Sequence, residues 1–177
     1  MKKVVFMFAF AAMLFAACGK EDQEHTTPEE PAEQVPAIVS MMYHLDATDD
    51  MLQYLDYMVT YDDGTGERQE SVVSNRWEKT LTASLPATFT IKTHIRVKEG
   101  MYDALAAADT IHFTRGHGYA YQVFDSSATA IPGLSDSYNS ASTSVGVGAR
   151  IAEHVQAGDY DKTYTLSFDA NGVKIEN

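Results

Sequence analysis

The sequence predicts a mainly β protein: an antiparallel β-sandwich of about seven or eight short strands, with one short helix before the last strands. Three observations lead there. From Ile38 onward apolar residues recur with a period of two, which gives each segment one dry and one wet face. The runs are short and end at Gly, Pro, Asp or Asn, the residues that turn a chain. Helical spacing occurs in only one late stretch, 145–157. A chain of 177 residues suits one such domain. Its single cysteine excludes an internal disulfide framework and a cysteine-based zinc cluster.

Each element follows in order. Val39, Met41, Tyr43 and Leu45 alternate with Ser40, Met42 and His44, which makes a first strand. Met51, Leu55, Tyr57, Val59 and Tyr61 place a second strand over 51–61, and Asp62-Asp63-Gly64-Thr65-Gly66 turns it back into a short strand at 68–74. Trp77, Leu81 and Ala83 share one side of a strand at 76–84. Beyond Pro86 lies the clearest strand: Phe89, Ile91, Ile95 and Val97 face in, while Lys92, His94, Arg96 and Lys98 face out. Residues 110–124 are strand-like, as one strand or as two broken near Gly116 and Gly118. Nine Ser or Thr in the 19 residues 126–144, with Pro132 and Gly133, predict a long polar loop. Val147, Ile151 and Val155 lie four apart and place the helix over 145–157, stopped by Gly158. Tyr164, Leu166 and Phe168 alternate in the next strand, and Asn171-Gly172 turns into a final strand at 173–176.

The N-terminus carries an address. Met1-Lys2-Lys3 is basic, and the chain from Val4 to Cys18 has no charge. That run is shorter than the ~20 residues of a bilayer span and fits a secretory signal core, residues 1–17. Ala16 and Ala17 precede Cys18, with Phe15 where a lipobox carries Leu and Leu14 one position earlier. These residues resemble a bacterial lipoprotein signal. The resemblance implies cleavage before Cys18, lipidation of its sulfur and a membrane held through that anchor. Lys20, Glu21 and Asp22, directly after the cysteine, resemble the surface-export signal of Bacteroidetes lipoproteins, which implies the outer face of the outer membrane. Residues 18–36 form an acidic tether with three prolines, a composition that predicts a solvated linker. The domain that follows, 37–177, resembles in architecture the small immunoglobulin-like sandwiches of Bacteroidetes surface lipoproteins.

Charge and motifs narrow the function. The chain carries a net −12, and the part from residue 36 onward holds ten Lys and Arg against 19 Asp and Glu, a net −9. Phosphate binding needs a basic footprint, so nucleic acid is not the expected partner. Gly-x-Ser-x-Gly, a P-loop and His-Glu-x-x-His are all missing. No catalysis, cofactor or metal is therefore expected. His112 and His117 flank Arg115, but their odd spacing sends them to opposite faces of a straight strand. The acidic turn 62–67 and the cluster Asp46, Asp49 and Asp50 resemble calcium loops in composition and lack the EF-hand spacing.

Two surfaces are the candidates for binding. One is the outward basic stripe Lys92, His94, Arg96 and Lys98, which suits an acidic partner or acts as a solvated face. The other is His117 with Tyr119 and Tyr121, since a tyrosine offers both a flat apolar ring and a hydroxyl to protein or sugar, unless these alternating tyrosines pack into the core as they usually do in a sandwich. The expectation is a surface-exposed, lipid-anchored binding or adhesion module for a protein or glycan. The alternatives are a structural accessory subunit of an outer-membrane assembly and a hydrolase.

Overall fold

In the computed structural model, residues 34–176 are described, within one compact unit, Glu33–Asn177. The signal segment, Cys18, the export residues Lys20, Glu21 and Asp22 and nearly all of the tether lie outside the described residues. Among the described residues no helix is long and apolar enough to cross a membrane.

The architecture is the antiparallel sandwich the sequence predicts. The strands, in chain order, are β1 (Pro36–Asp46), β2 (Leu55–Asp62), β3 (Glu67–Ser71), β4 (Arg76–Ser84), β5 (Ala87–Val97), β6 (Ile111–Thr114), β7 (His117–Asp125), β8 (Ala130–Ser140), β9 (Thr143–Gly146), β10 (Lys162–Phe168) and β11 (Lys174–Ile175). One sheet has the order β4-β1-β7-β8 and the other β11-β10-β5-β2-β3; β6 and β9 pair separately. The alternating positions read from the sequence fill the space between the sheets. Val39, Met41, Tyr43 and Leu45 come from one layer, and Leu55, Tyr57, Val59, Tyr61, Phe89, Ile91, Ile95 and Phe168 from the other; all are buried. Burying such a side chain contributes about 1.5–3 kcal/mol, which fixes the register of each strand.

Four expectations are corrected. Among the described residues there are eleven strands rather than seven or eight. There are also three helices among them rather than one: α1 (Asp49–Tyr54), α2 (Tyr102–Ala106) and α3 (Gly148–Gln156). The segment 51–54, expected as strand, is helical because the Thr48 hydroxyl caps it by accepting from the Met51 N–H. The expected loop 126–144 instead supplies β8 and β9. Its polar residues form strands because β8 pairs with β7 from His117↔Ser140 to Phe124↔Ala130 and β9 pairs with β6. Residues 110–124 are two strands that break at Arg115 and Gly116 and enter different sheets.

Two of the late hairpins share one device. Asp125 Oδ1 accepts from the N–H groups of Ser127 and Thr129, and Asp169 Oδ1 accepts from those of Asn171 and Val173. Bonds to the second and fourth residue onward tie off each turn locally. The helices, β6 and β9 form a cap in which Leu105, Ile111, Phe113, Ile151 and Val155 are buried. Gly148 opens α3 where the chains are closest: its N–H donates to Ala108 O at 2.9 Å, and a Cβ there would lie 1.8 Å from Leu105 O.

Candidate functional site

The two long edges of the sandwich differ. On one, Glu70 of β3 binds Trp77 and Lys79 of β4 and so ties the two sheets together. On the other, the sheets end unequally: β8 runs for eleven residues, whereas β11, on the same side of the second sheet, has two. A groove of about 530 Å³ opens there. Its size falls within the ~300–1,000 Å³ of ordinary ligand clefts.

Alternation places the lining. Tyr43 of β1, His117 and Tyr119 of β7 and Tyr138 of β8 come from one sheet, and Tyr164 of β10 from the other, with Lys174 of β11 at the rim. The His117 ring lies 4.3 Å from that of Tyr164 and 5.5 Å from that of Tyr138, between centroids. Tyr119 and Tyr138 stack at 5.8 Å with 25° between their planes. Tyr138 remains 46% exposed, a large aromatic surface open to solvent. Lys174 Nζ donates to Tyr119 Oη at 3.0 Å and to Asp136 Oδ2 at 3.2 Å, so the rim cation is already balanced by a carboxylate.

The polar groups set the chemistry. Tyr43 is 1% exposed, and among the described residues its hydroxyl has no hydrogen-bond partner. Burial, with the neighbouring tyrosines adding to it, raises the Tyr43 hydroxyl far above its usual range and keeps it protonated. Desolvation first, and the nearby His44 second, push the His117 imidazole below 6.5, so it is neutral at pH 7. The groove therefore offers ring faces, hydroxyl donors and an uncharged imidazole.

Of the sequence candidates, His117 and Tyr119 line this groove. Tyr121 points to the same side of β7 but packs its ring edge-on against Phe168 at 4.7 Å. Lys92, His94, Arg96 and Lys98 are elsewhere, and each is engaged locally. Lys92 pairs with Glu67 at 3.6 Å, His94 with Asp161 at 2.8 Å and Arg96 with Asp56 at 3.0 Å, while Lys98 Nζ donates to Leu52 O. His112 does not meet His117, since its Nδ1 lies 2.7 Å from Asp50 Oδ2 in the cap. In the acidic turn, Arg68 Nε donates to Asp63 Oδ2 at 2.7 Å, so a guanidinium already neutralises that carboxylate. Among the described residues no cluster of three or more His, Cys, Asp or Glu is placed to hold a metal.

Sequence reading missed Tyr43, Tyr138, Tyr164 and Lys174 as site residues. Alternation identifies Tyr43 and Tyr164 as inward-facing, yet nothing in a linear pattern says that the layer above them stops short. No family model, curated protein or solved structure matches this chain.

Proposed function

We propose that this protein is a lipid-anchored module of the outer-membrane surface that binds an extracellular ligand in the tyrosine groove, without catalysis. The observation that carries the reading is the groove itself, lined by aromatic rings from both sheets. The half-exposed Tyr138 ring adds apolar area and a polar tip of the kind enriched at binding surfaces. Anchoring through Cys18 and export through Lys20, Glu21 and Asp22 would place the groove outside the cell.

The test is a screen of the full chain, in detergent micelles, against arrays of extracellular proteins and of neutral and acidic oligosaccharides. A ligand whose affinity falls at least tenfold with Tyr138→Ala, and stays unchanged with Lys92→Gln, supports the groove. Ligands that follow the lysine change instead move the site to the basic stripe. The accessory-subunit reading predicts no ligand on either array and co-purification with a membrane complex that survives Tyr138→Ala.

A further inference from the structure

We infer that the free edge of β10 is a lane for an extended polypeptide segment of a partner, which adds a strand to the five-stranded sheet and fills the tyrosine groove. The inference rests on the groove being the binding seat. β10 pairs with β5 along its whole length, from Lys162↔Thr93 to Phe168↔Ala87. On its other side β11 pairs only with Ser167 and Phe168. Among the described residues nothing pairs with 162–166 on that side, so alternate N–H and C=O groups of that stretch face an empty lane. The opposite sheet continues beneath the lane: β7 and β8 carry Tyr119 and Tyr138 there, and Lys174 of β11 reaches across to Tyr119 and Asp136. Sheets pack about 10 Å apart and strands about 4.8 Å apart, so one more strand beside β10 would lie over these rings.

The lane selects its occupant. It prolongs the β10–β11 ladder, and a strand edge is matched by another backbone, whose donors and acceptors repeat at the same spacing. Sugars lack that repeat. The chain's own residues 19–33 hold six acids, two prolines and one apolar residue, Ala32, so they cannot supply alternating apolar side chains or an unbroken row of N–H groups. A second copy brings another net −9 domain against the first. What remains is a segment of another protein about five residues long and low in charge. Its alternate residues would be apolar and point at Tyr119, Tyr138 and Tyr164.

A phage-displayed library of random dodecapeptides, panned on the full chain in detergent micelles, tests this. The expected result is an enriched set with apolar residues at every second position. A synthetic peptide of that consensus should slow amide exchange at alternate residues of 162–166 at least tenfold. This measurement on the unmutated chain does not depend on any variant folding. Tyr138→Ala should weaken the peptide at least tenfold, and Lys92→Gln should leave it unchanged. No enrichment, or peptides that bind without protecting β10, would overturn the inference. A neutral oligosaccharide that binds through Tyr138 while no peptide protects β10 would also overturn it and leave the groove standing as a sugar seat. A concentration-dependent dimer protecting the same amides would replace the foreign partner with a second copy. If neither peptide nor sugar binds, the groove fails as well.

Discussion

Ile91 stands opposite Tyr61 on one neighbouring strand and Tyr164 on the other, and is 1% exposed. Truncation to alanine there removes packed methyl groups and leaves a cavity that a sheet cannot close. Ile91→Ala should cost roughly 2–5 kcal/mol in a denaturant titration. The next residue points the other way. Lys92 makes one long ion pair between two exposed side chains, and Lys92→Gln should change stability by less than about 0.5 kcal/mol in the same assay. Both expectations follow from alternation alone, and the structure agrees with the sequence about which side of β5 is dry. Gly148 is a different case. Its missing side chain matters because Leu105 O passes 1.8 Å from where a Cβ would sit. Gly148→Ala must push backbone away from backbone and should cost roughly 1–3 kcal/mol. No local pattern announces that contact, because α2 and α3 are separated by some forty residues of sequence.

Among the elements, the side-chain clamp between β3 and β4 across the sandwich edge stands out. The Glu70 carboxylate accepts from the Tyr61 hydroxyl, from Trp77 Nε1 at 2.8 Å and from Lys79 Nζ at 2.7 Å. Hydrogen bonds from Lys79 first, then Tyr61 and Trp77, hold its carboxyl down at about 2, against 4.5 for a free glutamate. A depressed carboxylate binds fewer protons folded than unfolded, so its contribution is present above pH 4.5 and is lost as pH falls toward 2. The neutral His117 has the same sign and begins to lose its contribution below 6.5. The melting temperature should therefore fall in acid in two stages. Glu70→Gln should shrink the lower stage, which the lowered carboxyls of Asp50, Asp63 and Asp136 share, and leave the upper, while His117→Gln should remove the upper and leave the lower. Thermal melts at stepped pH check both. The clamp holds β3 and β4 together, while on the other side β11 is too short to cover β8.

For the whole molecule, the charge and the N-terminal residues bear on the proposed function more than the fold does. A net −9 domain is repelled by anionic surfaces, so under the proposed function attachment to a membrane would fall to Cys18. Each buried CH₂ of an attached chain contributes ~0.8 kcal/mol, and two or more chains hold a protein firmly. Cys18→Ala should abolish incorporation of labelled fatty acid and release the protein from the membrane fraction; continued labelling of that variant would refute the anchor. Legible from the order of residues were the sandwich, the bounds of β4, β5, β10 and α3 to within a few residues, and the inward faces of β1, β2 and β5. These follow from a period of two and from turn residues, which act over a few neighbours. Tertiary structure alone decided that the serine-rich stretch 130–140 is a strand, since its partner β7, not its composition, orders it. It also decided that 51–54 coils onto the Thr48 cap, that His112 and His117 part company, and that the basic stripe is matched by Glu67, Asp161 and Asp56. The groove belongs to the same class. Five aromatic rings from four strands converge there because one layer ends before the other, and where a layer ends depends on which strands pair across the whole chain rather than on the order of residues within any one of them.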